Sequence, residues 1–301
     1  MQPITLKKKK EYIESLETSS RRHSQWRDIL GRLWRNKLGM VGFFIVAVIL
    51  LLIILADLVA PIPYDKQNFA ERFLYPNSVH LLGTDNFGRD MWSRLLFGGR
   101  ISLFVAIISV CISLFVGAIL GSTAGYFGGK LDTIITRILD IVMAIPGLLL
   151  AIAISAMLGS GPVNTALAIS ISGMPGAARL IRSTVMAIKG NEFVEAARAT
   201  GSRHGRVIFK HVLPNAIAPL IVYSTMSIGG SILAISGLSF IGLGVQPPIP
   251  EWGSILMAGR PFVRDFWPMI VFPGIFIGLT LLGFNLFGDA LRDALDPKLK
   301  N

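Results

Sequence analysis

The chain has 301 residues, 52% of them hydrophobic and only 16% charged, with a mean hydropathy of +0.61. An ordinary soluble domain carries about 25% charged residues, so a soluble globule lacks the charge to coat it, and a long disordered protein is excluded. The excess of 29 Lys and Arg over 18 Asp and Glu is +11; on an apolar chain this points to basic loops on the cytoplasmic face of a membrane before nucleic acid.

Residues 1–38 form a polar, basic tail with no cleavable signal pattern. Lys7 to Lys10 and the Ser/Thr/Glu stretch that follows read as solvated tail. Trp26, Ile29, Leu30, Leu33 and Trp34 then share one helical face opposite Arg27, Arg32 and Arg35, the pattern of a helix lying in the membrane interface against lipid. A partner-binding arm is the alternative.

Residues 39–100 hold the first span and an external amphipathic segment. About 20 apolar residues cross a bilayer as a helix. Leu38 to Ala56 is uncharged for 19 residues and stops at Asp57 and Pro61-Ile62-Pro63. After His80-Leu81-Leu82-Gly83-Thr84-Asp85-Asn86-Phe87-Gly88-Arg89-Asp90, the residues Phe87, Met91, Trp92, Leu95 and Leu96 share a face. Thr84 or Asp85 is placed to cap that helix and Gly98-Gly99 to end it, which gives an anchoring helix on the outer surface.

Residues 101–290 supply five more spans. Ile101 to Gly129 is uncharged for 29 residues and carries Ser109, Ser113, Gly117, Gly121 and Gly125 at intervals of four, a small-residue stripe for close helix packing. Its partner could lie within the chain or in a second subunit. Ile141 to Ala178 is uncharged for 38 residues, but Gly159-Ser160-Gly161-Pro162 divides it into two helices, the second with Gly173 and Pro175 to kink or shorten it. Asp140 reads as an interfacial pair with Arg137. Val212 to Pro250 gives one span to about Leu238, then a re-entrant or loop segment, and Phe266 to Gly288 closes the series before a tail at 291–301. The fold class is therefore an all-α integral membrane protein with six spans.

Charge then sets orientation. With the N-terminus inside, 22 of the 29 basic residues fall on the cytoplasmic side, whose net charge is +11, while the outer side sums to zero. Both termini are thus expected in the cytoplasm.

The loop at 188–212 is the most informative. Glu192 and Glu195 favour a helix start, Ala196 and Ala197 give a flat face, Gly201 stops it, and a basic stretch leads to Leu213-Pro214. A solvated loop explains this as well on physics alone. Equally telling is what the chain lacks. It has no phosphate-binding loop, for Gly129-Lys130 has Ala124 where the first glycine belongs and Leu131 following. No acidic pair sits mid-span for a proton or sodium relay. The single Cys111 and the scattered His23, His80, His204 and His211 make a disulfide framework or metal site improbable.

The spacing Glu195-Ala196-Ala197, Gly201, Leu213-Pro214, with His211 where the pattern has isoleucine, resembles the EAA loop of binding-protein-dependent ABC importer permeases. The blocks Leu82 to Asp90, Gly125-Tyr126-Phe127-Gly128-Gly129, Ser239 to Gly253 and Phe284 to Lys300 resemble the C-type permease of dipeptide, oligopeptide and nickel importers, over nearly the whole chain. The resemblance implies a type I importer (MetI-like) architecture in the bacterial inner membrane. It implies a second, B-type permease as heterodimer partner, two ATP-binding subunits that hold ATP and Mg, and an external substrate-binding protein. It also implies that Glu195, Ala196, Ala197, Gly201, Leu213 and Pro214 dock the ATPase. This chain would have no catalytic site, cofactor or metal of its own, and nucleic acid drops out as a partner. Asn215, Ser224, Thr225 and Ser227 near the fifth span are candidates for the solute path. A self-contained secondary transporter or channel is the competing function; it would need an intramembrane carboxylate pair or a broken-helix repeat. A membrane-embedded enzyme would need a nucleophile–base or metal constellation, and none is spaced for it.

Overall fold

The computed structural model describes residues 25–295, with side chains from residue 29 onward. The Lys7–Lys10 tail, the side chain of Trp26 and the end of the C-terminal block lie outside the described residues. Helix α1 (Gln25–Arg35) carries the amphipathic stretch, with Leu30 and Trp34 exposed. Asn36 breaks the chain and caps α2 (Lys37–Ile54), its side chain accepting from the Gly39 amide at 3.0 Å. Gly42 lets α2 lie directly on Gly283 and Leu286 of α10 (Pro268–Leu295).

Helix α3 (Met91–Phe127) has 37 residues, about 55 Å at 1.5 Å per residue, more than the whole bilayer with its headgroups. Its first turns therefore rise into a cap of loops. The cap residue is Asp90, which accepts from the Ser93 amide at 2.8 Å, and not Thr84 or Asp85. Asp85 instead closes the preceding turn, accepting from the Phe87 and Arg89 amides at 2.8 and 2.9 Å. Thr84 accepts from the Leu74 amide at 2.9 Å.

Gly98-Gly99 does not end the helix either. A side chain at Gly99 would strike Ile53 and Trp252, and one at Gly98 would press on Ile255, so both glycines serve close packing within an unbroken helix. Met91, Leu95 and Leu96 are correspondingly buried in the core and not spread on an outer surface.

The third span is not the straight helix expected from 141. Helices α4 (Gly129–Met143) and α5 (Gly147–Leu158) meet at 84°. Pro146 supplies the break. At 12 residues, about 18 Å, α5 alone is shorter than the hydrocarbon core. Positive φ at Gly159 and Gly161 turns the chain into α6 (Pro162–Ile188), and the Gly161 amide donates to Gly244 O at 3.1 Å. Pro175 is accommodated inside α6, which continues to Ile188. Asp140 pairs across to Arg179 at 2.8 Å, in place of Arg137, and Asp132 to Arg182 at 2.6 Å, so α4 is strapped to α6.

After α7 (Glu192–Ala199), one continuous helical path runs from His204 through a π-helical stretch (Val207–Val212) and a 3₁₀ turn (Leu213–Ala216) into α8 (Ile217–Phe240). The segment to Pro250, read as re-entrant or loop, is a run of turns, after which the chain folds back as the buried helix α9 (Trp252–Gly259). Glu251 caps it from a fully buried position. Its carboxylate accepts from Ser102 Oγ at 3.0 Å, Ser236 Oγ at 3.4 Å and the Ser254 amide at 3.0 Å. Trp252 Nε1 donates to Leu95 O at 2.8 Å, which locks α9 onto α3.

Among the described residues there is no strand, and the main core lies between α2, α3, α6, α8, α9 and α10. Four stretches are long and apolar enough to cross a membrane (α2, α3, His204–Phe240 and α10), and the bent α4–α5 pair makes five. The six-span expectation needs α6 as well, which has the length, 27 residues, but carries Arg179 and Arg182.

Candidate functional site

Helix α7 stands on the face opposite the Asp85 cap. Eight residues seldom hold a helix in isolation, so its stability must come from its ends and its packing. Glu192 and Glu195 lie in the first turn and Arg198 in the last, as the helix dipole favours. Gly201, at φ +78, closes the helix: its amide donates to Arg198 O at 2.9 Å and the Ser202 amide to Ala197 O at 3.1 Å, a Schellman closure that a left-handed residue makes possible.

Val194 and Ala197 are buried, one helical turn apart, in a cluster with Tyr126, Ile181, Val185, Val207, Ile208 and Val212. Leu213 packs on its edge and Pro214 is exposed. The outward face keeps Glu192, Phe193, Glu195, Ala196 and Gly201 exposed, and Phe193 places an apolar ring there. The helix is thus held by two small apolar side chains, with charge, flat alanine and one phenyl ring facing out.

Tyr126, in the Gly125–Gly129 block, is the anchor of this arrangement. It is buried at the end of α3, its hydroxyl lies 3.0 Å from His204 Nδ1, and Arg198 Nε donates to that oxygen at 3.2 Å. The Arg198 guanidinium also sits 4.8 Å from the ring centre, a cation–π contact. Lys189 Nζ donates to Gly125 O at 2.7 Å. The one signal in the sequence was a tyrosine set among glycines at the end of an apolar run.

The stripe on α3 faces α6 of the same chain. Ser113 Oγ donates to Ser170 O at 2.8 Å, Gly117 lies against Ala177 and Ala178, Gly121 against Ala178 and Ile181, and Gly125 against Arg182 and Val185. Ser109 turns its hydroxyl to Ala106 O, within its own helix.

Two cavities border α8. The larger, about 560 Å³, is lined by Leu180, Asn215, Val222, Tyr223, Met226 and Arg292 among others. The smaller, about 210 Å³, is lined by Ser113, Ser172, Gly173, Tyr223, Ser227 and Ser231 among others. Of the four path candidates, Asn215 lines the first and Ser227 the second. Ser224 and Thr225 line neither, and their hydroxyls donate to Ile221 O at 2.9 and 2.8 Å. Neither Tyr223 nor Arg292 was singled out from the sequence.

The chain is thus an all-helical bundle of long apolar helices with an anchored surface helix and two open pockets along α8. Residues 113–301 match the model of the binding-protein-dependent transport system inner membrane component, and residues 24–76 match the N-terminal TM domain of oligopeptide transport permease C. The chain belongs to this family: it is a multi-pass permease subunit of a binding-protein-dependent ABC importer, not an enzyme.

Among its relatives is the dipeptide transport system permease protein DppC of Alkalihalophilus pseudofirmus, 45% identical over 92% of this chain and 91% of that one. The di/tripeptide transport system permease protein DppC of Pseudomonas aeruginosa is 46% identical over 84% and 86%. The glutathione transport system permease protein GsiD of Pectobacterium atrosepticum is 41% identical over 92% of each. The inward-facing MetNI methionine ABC transporter shares the fold at a TM-score of 0.55 and 18% identity, over 68% of this chain and 97% of that one.

Proposed function

We propose that this chain is the C-type permease of an importer that moves di- or oligopeptides, or a related small solute such as glutathione, into the cytoplasm. It pairs with a B-type permease, receives solute from an external binding protein, and is driven by two ATP-binding subunits that hold ATP and Mg. The α7 face is cytoplasmic, with both termini, in keeping with the distribution of basic residues. Closure of the ATP-binding subunits pushes α7, and because Val194, Ala197, Arg198 and His204 are fixed to Tyr126 and the ends of α3 and α6, that push reorients the spans.

The observation that carries this reading is α7 itself: buried on one side, exposed and chemically mixed on the other. The names of the relatives support peptide as the solute. Asn215 and Ser227 are proposed as path residues because they line cavities; Ser224 and Thr225 are the weaker members of that set.

The test replaces Glu195 with Lys and Gly201 with Trp and measures both co-purification of the ATP-binding subunits and peptide uptake. Loss of both, with the permease still present in the membrane, is expected. Undiminished co-purification and uptake in the two variants would contradict the docking role.

A further inference from the structure

The two cavities share one wall. Tyr223 borders both, and the other α8 residues divide around it: Asn215, Val222 and Met226 face the larger cavity, while Ser227, Ser231 and Ala234 face the smaller. From residue 223 to residue 234 is about 16 Å of helix, so the cavities follow one another along a single helical face. Helix α6 runs antiparallel and gives the same order in reverse. Leu180 lines the larger cavity, Ser172 and Gly173 line the smaller, and Gly176 lies between them. At that point a β-carbon on Gly176 would come within 2.9 Å of the Tyr223 hydroxyl. The tyrosine hydroxyl thus fills the space a side chain at 176 would take.

The chambers differ in chemistry. The smaller sets four serines into a wall otherwise made by Val110, Ile169, Ala234, Tyr223 and glycine, with no charged side chain, and suits a small neutral group such as an amide. The larger adds the Arg292 guanidinium and the Asn215 amide to an apolar wall, which suits a carboxylate. Resting on the permease reading, we propose that these are consecutive stations of the solute path and that Tyr223, seated against Gly176, is the side chain that closes one from the other.

Thiol accessibility tests this without any transported solute. Cys111, the chain's one cysteine, is exposed on α3 and is replaced by serine. Ser231→Cys then marks the smaller chamber and Met226→Cys the larger. The assembled importer, in inside-out vesicles without nucleotide, is treated with a membrane-impermeant maleimide.

Met226→Cys is expected to react readily, and Ser231→Cys slowly while Tyr223 is intact. Adding Tyr223→Ala should make Ser231→Cys react about tenfold faster, the ratio set by about 1.4 kcal/mol of barrier. Tyr223→Phe should lose part of the protection, because the hydroxyl is the atom that reaches Gly176, with the ring carbon behind it at 3.9 Å. Gly176→Ala, which presses on the Tyr223 hydroxyl, should fall between. If Tyr223→Ala prevents assembly, Tyr223→Leu carries the same expectation.

Equal labelling of Ser231→Cys with and without Tyr223→Ala, fast or slow, would overturn the partition. An unreactive Met226→Cys would overturn the placement of both chambers. Neither result depends on which solute is carried, so a failure of peptide uptake bears on the proposed substrate alone.

Discussion

Gly201 and Trp252 bracket what a single residue does in this molecule. A β-carbon at Gly201 would have no neighbour within 4 Å, yet its φ of +78 is costly for any other residue. Gly201→Val should therefore cost about 1–2 kcal/mol of backbone strain with no steric clash. Trp252→Ala empties a fully buried site and should cost about 3–5 kcal/mol. Thermal denaturation of the purified chain should rank them in that order; a Gly201→Val loss as large as that of Trp252→Ala would mean Gly201 is packed and not free for a partner.

Asp57 gives a pH signature at the cap face. Its hydrogen bond to Arg100, at 2.6 Å, holds the carboxyl below its ordinary value. A depressed folded-state pKa stabilises the fold above the unfolded value and is lost as pH falls through the folded one. The stability difference between the wild type and Asp57→Asn should hold at neutral pH and fade at strongly acid pH. A difference that grows on acidification would contradict the pairing.

Residue identity alone misleads where one residue type has several uses. Gly98-Gly99 and Gly201 look alike in a sequence, but only the second ends a helix. The first pair is explained by Ile53, Trp252 and Ile255, which lie far away along the chain. Tyr223 carries no signal for the same reason, since an aromatic ring in an apolar run looks like lipid-facing or core material until its neighbours are known.

At the scale of elements, the α3–α6 seam is the strongest commitment. Gly121 sits so close to the backbone of Ala178 and Arg182 that Gly121→Leu must push the helices apart. Overpacking of this kind costs about 1–3 kcal/mol or more, and it should lower the yield of folded permease in detergent, with Gly278→Leu, on an open face, as the tolerated control. Equal yields would contradict the seam.

The Asp132–Arg182 pair that ties α4 to α6 is partly exposed and should contribute about 1 kcal/mol or less. The swap Asp132→Arg with Arg182→Asp should recover most of what either single change loses in a double-mutant cycle.

The uncharged runs marked the apolar helices well, and the Gly159–Pro162 hairpin stands where turn chemistry placed it. The bend at Pro146 and the fold-back of α9 were hidden. Pro146 lies inside an uncharged run and α9 just beyond one, where composition reports burial in something apolar but not whether that something is lipid or protein. The bilayer hides such breaks because interior protein satisfies the freed backbone groups. Glu251 is the trace of α9 in the sequence: a lone acid beside tryptophan in an apolar stretch, which accepts from serines of two other helices.

At the scale of the whole molecule, the +11 charge acquires a place. With the α7 face cytoplasmic, as proposed, the excess gathers there, where it meets lipid headgroups and the ATP-binding subunits, and the outer cap is left neutral. The α7 loop, legible as a motif, proves to be a small knob bolted to two long helices, and the cavities those helices border are what it would move.

The central claim is that this chain opens a path but does not power it. Reconstitution in liposomes tests that most directly, comparing uptake of a labelled dipeptide under two conditions. The partner permease, binding protein and ATP-binding subunits with ATP should support uptake, and this chain alone under an imposed ion gradient should not. Uptake by the chain alone, driven by the gradient, would contradict the account.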